Sequence, residues 1–250
     1  MCIRDSRMFG QDAGDHDRAY EMADEFVTLM KWLWLEEAID FKGDFYQSYD
    51  ATVLPGPYRK PRPMLMSAGN SPAGLDFGAK HSDWMFVTAR TLDGYRELVQ
   101  RVHGLAAKYG RTVRPATMVY VIVEETDQRA RDLLASVEEQ VDKQAVNSFL
   151  FNRTADFKTS LAGMSGGSMA GDMAQEDEWG GMGRETYLRW ALGLSAWHVV
   201  GSCESAAEEL RALHDTGIES ILCCFFDPLH GLHQMQDGVL PILEKMGLRR

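Results

Sequence analysis

The sequence predicts an α/β protein built on a parallel sheet. Its 250 residues contain four short apolar runs, and amphipathic segments of helical period separate them. The runs lie at 64–68, 83–88, 116–123 and 220–226. Strands buried on both faces are continuously apolar, so these runs favour parallel strands covered by helices. The pattern fits both an open doubly wound sheet and part of a (β/α)8 barrel.

The chain ahead of the first run predicts a helix and a hairpin. Apolar residues recur with helical period from Met22 to Trp34, which indicates a helix of about twenty residues capped by Asp15 or Asp17. The β-forming residues over 41–54 indicate a short exposed hairpin. A proline-rich stretch, 55–63, then leads into the first buried strand.

The remaining segments predict helices between the strands. One follows the first strand at once, and the others span 93–109, 127 to about 146, 185–194, 202–214 and 229–246. Gly110 and Gly217 are expected to close two of them. Residues 163–183 are rich in glycine and acidic side chains, so they predict a mobile insertion, either an active-site lid or a plain surface excursion.

Composition argues against several kinds of partner and location. The formal net charge is −11 and no Lys/Arg run occurs, so neither nucleic acid nor an anionic membrane is an expected partner. No stretch approaches the roughly 20 apolar residues of a membrane span, and the polar, acidic start is unlike a signal peptide. The cysteines lack the spacing of a metal or redox site. We therefore expect a cytoplasmic protein without a metal.

The segment SAGNSPAG at 67–74 carries the clearest chemical signal, because it follows a predicted strand and opens a helix. Gly69 permits a sharp turn, Ser71 is a good N-cap, and Pro72 fits the first helical position. The amides of a first helical turn and the positive end of its dipole favour an anion. The segment is either a phosphate cradle or simply a well-capped helix, since it lacks P-loop, Rossmann and nucleophile-elbow spacing.

Motifs along most of the chain also form a recognisable combination. They are HDRAY at 16–20, ADEF at 23–26, FKGDFY at 41–46, AGNSPAG at 68–74, VGS at 200–202, AEEL at 207–210 and FDP at 226–228. Together they resemble the bacterial-luciferase-like, FMN-dependent monooxygenases. Within that family the likeness is nearest to the pyrimidine and alkanesulfonate or sulfone monooxygenase branches, and it extends from about residue 9 to residue 250.

The resemblance implies a (β/α)8 TIM barrel that binds FMN at the C-terminal face of its strands. It further implies that reduced FMN comes from a separate NAD(P)H:flavin reductase, and that O2 and a small organic substrate take part. The flavin then supplies the reactive chemistry while the protein supplies position and dryness. The residues implied to bind the cofactor are Ser71, Tyr20, Ala19, Gly69, Asn70 and Arg18.

Two departures from the family pattern bear on this implication. Relatives have more barrel strands ahead of the helix that begins near Asp17, so the chain resembles the C-terminal half to two-thirds of a barrel with an inserted lid-like loop. Residues 1–15 are expected to be a non-native or irregular start, and 16–250 a partial barrel domain. Ala19 stands where relatives often carry arginine, for which Arg18 is the nearest substitute.

Three functions stay open on this basis. The first is a flavin-dependent monooxygenase, and the second is a deazaflavin (F420)-dependent oxidoreductase of the same superfamily. The third is a non-catalytic flavin-binding protein or an inactive truncated chain. The unpaired edges of an incomplete barrel predict a homo-oligomer or else an unstable monomer.

His198 and Arg184 are the candidate catalytic residues. His198 precedes the strand-like Val199 and Val200, and it would serve as a general acid or base or else as a structural histidine. Arg184 ends the glycine-rich segment and would contact an anion when a lid closes. His230 and His233 share a helix face without a third ligand nearby, so a metal site is not expected there.

Overall fold

The computed structural model describes residues 16–146, 184–193 and 196–249. The predicted irregular start at 1–15 and the glycine-rich insertion at 163–183 lie outside the described residues. The chain divides into two compact units. Among the described residues, the first unit comprises 16–86 and 102–113, and the second comprises the rest.

The first unit joins a long helix to a hairpin and a small parallel pair of strands. Helix α1 (His16–Leu35) is followed by an antiparallel hairpin of β1 (Ile39–Lys42) and β2 (Gln47–Ala51). Two parallel strands, β3 (Met66–Ser67) and β4 (Trp84–Phe86), come before and after α2 (Pro72–His81). The predicted helix of about twenty residues and the predicted hairpin are confirmed.

Strand β3 is shorter than the predicted run at 64–68. Pro63 has no N–H, and the Leu65 N–H donates to the Asp83 carboxylate at 2.8 Å instead of to a neighbouring strand. The Leu65 carbonyl accepts from the backbone of Asp83 and Trp84, at 2.8 and 3.1 Å. Regular pairing therefore starts only at Met66, opposite Trp84.

Among its described residues, the second unit contains three parallel strands and most of the helices. The elements are the first part of α3 (Leu92–Lys108), β5 (Arg114–Val123), α4 (Asp127–Glu139), α5 (Arg184–Ala191), β6 (Trp197–Gly201), α6 (Cys203–His214), β7 (Ser220–Phe225), α7 (Pro228–Gln234), a π-helical turn (Met235–Val239) and α8 (Leu240–Lys245). Strand β5 lies between β6 and β7 and is parallel to both. The predicted α/β class with parallel strands is confirmed.

Strand β6 corrects the predicted strand count. The sequence marked four buried runs, whereas the described residues contain five strands in parallel pairings. Val119 of β5 is in register with Trp197 of β6, and Tyr120 is in register with His198. The sequence marked Val199 and Val200 as strand-like but did not count them among the buried runs, because His198 interrupts the short apolar pattern.

Side chains of β5 pack on both faces of the strand. On one face the Tyr95 hydroxyl of α3 lies 2.8 Å from the Thr117 hydroxyl of β5. On the other face Tyr120 and Ile122 pack in one cluster with Ala130 of α4. Neighbouring residues of β5 thus contribute to two separate layers, as strand geometry requires.

The helix expected over 229–246 is found as three consecutive pieces. Pro241 cannot donate a backbone hydrogen bond to the carbonyl four residues earlier, and the π-helical turn Met235–Val239 lies at this point. The predicted closing glycines are confirmed, since Gly110 and Gly217 adopt φ values of +61° and +96°. The helix predicted to extend to about residue 146 ends at Glu139, with one further helical turn at 143–146.

Glu25 of α1 ties the hairpin to the helix. Its carboxylate accepts backbone N–H bonds from Asp44 at 3.0 Å, Phe45 at 3.0 and 3.1 Å, and Tyr46 at 2.6 Å. Three convergent amides suit a carboxylate, which is an acceptor at both oxygens. The hairpin turn is therefore fixed by one side chain from outside it.

Replacement of this carboxylate should destabilise the first unit. We expect Glu25→Gln to lower the free energy of unfolding by about 1–3 kcal/mol, because an amide offers one acceptor oxygen and turns an N–H2 group toward the backbone donors. Denaturant unfolding measures the change. Glu21→Gln, at an exposed position of the same helix, is the matched control. Equal stability of the two variants would contradict the anchoring role.

Candidate functional site

The turn after β3 opens α2 as the sequence predicts. Ser71 is the N-cap in an extended conformation, and its hydroxyl oxygen accepts from the Gly74 N–H at 3.1 Å. The Leu75 N–H donates to the Ser71 carbonyl at 2.8 Å. Pro72 at the first helical position has no N–H. Of the N–H groups in the first turn, the Ala73 amide is therefore the one that does not take part in these bonds to Ser71.

Tyr20 approaches two glycines of this turn at very short range. A Cβ atom on Gly69 would lie 2.8 Å from the Tyr20 Oη, and one on Gly74 would lie 2.6 Å from the same atom. Each Cβ would also meet backbone, 2.8 Å from the Gly74 Cα in the first case and 2.9 Å from the Gly69 Cα in the second, so glycine is required at both positions. The structure thus brings together Tyr20, Gly69 and Gly74, which lie far apart in the sequence.

Asn70 supplies an unsatisfied polar group in the same turn. Its Oδ1 is buried and has no hydrogen-bond partner among the described residues. A buried polar atom without a partner is costly, and the two amide orientations of asparagine are interchangeable without change of shape. With the amide turned, the same position offers N–H donors to an anion. A phosphate therefore fits this cradle.

Arg18 and Ala19, the other predicted cofactor contacts, lie on exposed positions of α1. The Arg18 guanidinium lies over the Phe45 ring of the hairpin, 5.7 Å from its centroid. Ala19 carries only a methyl group. The roles of Arg18 and Ala19 in binding the cofactor stay predictions. For Tyr20, in the same turn of α1, the structure gives a contact with the glycine turn.

Sequence reasoning missed a set of residues that hold α1 against α2. His81 Nε2 lies 2.7 Å from Asp24 Oδ1. The Phe77 ring lies between Tyr20 and His81, with centroid distances of 5.6 and 5.1 Å. The only sequence signal was spacing: Tyr20 and Asp24 are four apart on one helix, and Phe77 and His81 are four apart on the next.

Charge and burial set the protonation of this pair. Burial lowers the pKa of His81, and the hydrogen bond to Asp24 raises it. Because burial has the larger effect, the pKa of the imidazole lies below its ordinary value. Burial alone would raise the pKa of Asp24, but hydrogen bonds from Lys80 and His81 outweigh it and the pKa is lowered. At neutral pH a neutral histidine therefore donates from Nε2 to an ionised carboxylate.

His198, the first catalytic candidate, lies at the N-terminal end of β6 in the second unit. Its ring stacks against Tyr120 at 5.4 Å between centroids. Its Nε2 is buried and has no partner in the described part of the chain. Burial, with a smaller effect of the Arg189 cation, lowers the pKa of His198 to about 4. This neutral, packed ring has the features of a structural histidine, and the catalytic role stays a prediction.

Arg184, the second candidate, opens α5 and pairs with a carboxylate of α4. Its Nη2 lies 2.9 Å from Glu138 Oε2, and its side chain is half-exposed. The predicted anion contact during closure of the glycine-rich insertion involves residues outside the described ranges. Arg184 therefore keeps a predicted role, with a structural ion pair now added to it.

The second unit also contains an apolar cavity of about 330 Å³. It is lined by Val137, Gln140, Val141, Asp142, Ala145, Val146, Ala191, Leu192 and Phe226. Its volume lies at the lower end of the range for small-molecule sites.

The described ranges contain no candidate metal site and no candidate membrane span. Among those residues, no group of three or more His, Cys, Asp or Glu side chains is placed to hold a metal ion. No helix there combines the length and apolar character needed to cross a membrane. His230, weighed above as a ligand, instead lies 3.2 Å from the Glu124 carboxylate.

A family model described as luciferase-like monooxygenase matches residues 4–220. The chain belongs to this family. The FMNH(2)-dependent dimethylsulfone monooxygenase of Pseudomonas putida is 27% identical over 244 residues, which is 98% of this chain and 64% of that protein. The pyrimidine monooxygenase RutA of Acinetobacter baylyi is 27% identical over 230 residues, or 90% and 57% of the two chains. The luciferase-like chain thus spans about 60% of the length of these relatives.

Solved structures agree on the fold. The crystal structure of a long-chain alkane monooxygenase (LadA) superimposes with a TM-score of 0.76 at 21% identity, covering 98% of this chain and 60% of that one. An F420-dependent secondary alcohol dehydrogenase superimposes with a TM-score of 0.60 at 13% identity, covering 92% and 64%. The likeness to luciferase-like TIM-barrel proteins decides the fold type that periodicity left open.

The buried His198 makes stability depend on pH with a definite sign. Its folded-state pKa of about 4 is below the ordinary value of 6.5. The unfolded chain therefore binds more protons between these values, and the free energy of unfolding falls as pH is lowered from 6.5 to 4. We expect His198→Phe, which keeps a ring against Tyr120, to reduce this fall. Denaturant unfolding at several pH values measures it, and an unchanged slope in the variant would refute the effect.

Proposed function

We propose that the turn 69–74 and Tyr20 hold FMN by its phosphate, and that this luciferase-like chain serves a monooxygenase using reduced FMN and O2. The observation that carries the proposal is the approach of the Tyr20 hydroxyl to Gly69 and Gly74 at the N-terminus of α2. The two curated relatives are named as an FMNH(2)-dependent dimethylsulfone monooxygenase and a pyrimidine monooxygenase, which supports a small organic substrate.

The donors of the cradle match the chemistry of a phosphate monoester. Tyr20 offers a hydroxyl, Asn70 a buried amide group and Ala73 a backbone N–H of the first helical turn. The dipole of α2 adds positive potential at the same point. The glycines leave room for the Tyr20 hydroxyl to reach the turn. The cradle therefore binds the phosphate through hydrogen-bond donors, because the turn itself contains no lysine or arginine.

Within the reaction, this part of the chain acts by position. Reduced flavin, when bound, supplies the chemistry that activates O2. The cradle residues hold the phosphate end and so restrict where the attached ring system lies.

A deazaflavin-dependent oxidoreductase is the second candidate function. The F420-dependent alcohol dehydrogenase shares the fold, which is the observation that keeps this cofactor in consideration. F420 carries its phosphate as a diester, which has a single negative charge and two esterified oxygens. The terminal phosphate of FMN is a monoester, which has up to two negative charges and only one esterified oxygen. A cradle of several donors converging on one end of the ligand fits the terminal monoester better.

Two further parts of the proposal concern partners. A separate NAD(P)H:flavin reductase would supply the reduced FMN in the cytoplasm. A homo-oligomer is proposed because α1 exposes apolar side chains that water solvates poorly, with Phe26 and Trp32 each 47% exposed and Leu35 52% exposed.

The cradle can be tested by calorimetric titration of the protein with FMN, riboflavin and F420. We expect FMN to bind at least about tenfold more tightly than riboflavin, because each charge-assisted hydrogen bond contributes about 1.5–3 kcal/mol. Ser71→Asp keeps an N-cap oxygen but places a carboxylate at the cradle. It should weaken FMN binding by about tenfold or more and leave riboflavin binding nearly unchanged.

Ser202→Asp is the matched control, since Ser202 caps α6 in the same way and accepts from the Ser205 N–H at 3.3 Å. Its affinity for FMN should equal that of the wild type. If Ser71→Asp bound FMN normally, or if riboflavin bound as tightly as FMN, the phosphate cradle would be excluded. Tighter binding of F420 than of FMN would favour the second candidate.

A further inference from the structure

Lys31 of α1 is held by a single residue of the neighbouring helix. Its Nζ donates to the His81 carbonyl at 2.8 Å and lies 3.2 Å from His81 Nδ1. The lysine is half-buried, and His81 is 5% exposed. All of these atoms belong to the first unit. This pair takes no part in the proposed phosphate contacts.

The tautomer of His81 follows from its other neighbour. Nε2 lies 2.7 Å from Asp24 Oδ1, and an ionised carboxylate only accepts, so Nε2 carries the proton. Nδ1 then directs its lone pair toward the Lys31 amine. The three residues are thus arranged as in sites of covalent catalysis, where a base activates a nucleophile and a carboxylate orients the base. Here Lys31 is the nucleophile, His81 the base and Asp24 the carboxylate.

The geometry also suits a neutral amine. A neutral amine has two N–H bonds, and His81 accepts both, one at its carbonyl and one at Nδ1. The third tetrahedral position then holds the lone pair. Loss of a proton from Lys31 therefore breaks neither hydrogen bond.

The charges around Lys31 act in the same direction. Burial lowers the pKa of Lys31 to about 8, and the cations Arg111 and Arg62 add to this effect against the anions Asp83 and Asp24. Lys80 is a further cation of the network, through its contact with Asp24. At pH 8 Lys31 has about a hundredfold more neutral amine than a lysine of ordinary pKa.

We propose that Lys31 is an acylation site that takes an acyl group from a small acyl thioester. The amine nitrogen attacks the thioester carbonyl, an N–C bond forms, and the C–S bond breaks. The amine proton passes to His81 Nδ1 and from there to the leaving thiolate, so that an amide and a thiol result. The acylated side chain no longer carries the positive charge that Lys31 places at the C-terminus of α2.

The test is acylation of the full chain by S-acetyl-N-acetylcysteamine, followed by peptide mass spectrometry at short times. Lys31 should be acetylated at least about tenfold faster than Lys80, because His81 accepts its proton and the lowered pKa of Lys31 raises its neutral fraction, an effect partly offset by the weaker nucleophilicity of a less basic amine. Lys80 is the internal reference because it contacts the same Asp24 carboxylate and is 43% exposed. His81→Phe, which keeps a ring against Phe77, should remove most of the difference.

A pH series on the wild-type protein makes the test independent of any variant that fails to fold. The acetylation rate of Lys31 should reach half of its maximum near pH 8 and level off above about pH 9, whereas an ordinary lysine reaches half of its maximum only at about pH 10.4. The proposal is overturned if Lys31 reacts no faster than Lys80, if its rate shows no such plateau, or if a folded His81→Phe protein reacts at the wild-type rate.

Discussion

The hydrogen bond between Asp24 and His81 holds α1 against α2, and the arrangement of the first unit depends on it. At 2.7 Å it joins a half-exposed carboxylate to a buried imidazole. One helical turn before each partner lies an aromatic ring, Tyr20 on α1 and Phe77 on α2, and these two rings are in contact. The polar bond and the aromatic contact therefore fix both the spacing and the rotation of the helices. The Tyr20 hydroxyl reaches the glycines of the turn only in that arrangement.

The two ends of α2 have complementary electrostatic roles. At its C-terminal end Lys31 donates to the carbonyl of His81 and Arg111 donates to the carbonyl of Ser82, each at 2.8 Å. These cations satisfy carbonyls that a helix leaves without partners and offset the negative end of its dipole. At the N-terminal end Ser71 caps the helix, and the Ala73 amide takes no part in the bonds of Gly74 and Leu75 to Ser71. In a chain of net charge −11, this local polarity gives an anion a favoured position.

Local chemistry explains which features could be predicted from the sequence. The turn 69–74 was predictable because Gly69, Ser71 and Pro72 each specify a backbone state without help from distant residues. Asp24 and His81 were not, because 57 residues separate them and helical spacing alone does not say which faces meet. Strand β6 was not counted among the buried runs because the polar His198 lies within it. Barrel and open sheet contain the same local βα units, so only the family likeness could choose between them.

The central claim is that Tyr20 and the glycine turn form a phosphate site, and amide NMR tests it most directly. The ¹⁵N-labelled protein would be titrated with FMN and, separately, with riboflavin. The account predicts that FMN produces its largest backbone shifts at Gly69, Asn70, Ala73 and Gly74, and that riboflavin leaves these amides nearly unmoved. FMN binding that shifts other amides while these four stay in place would contradict it.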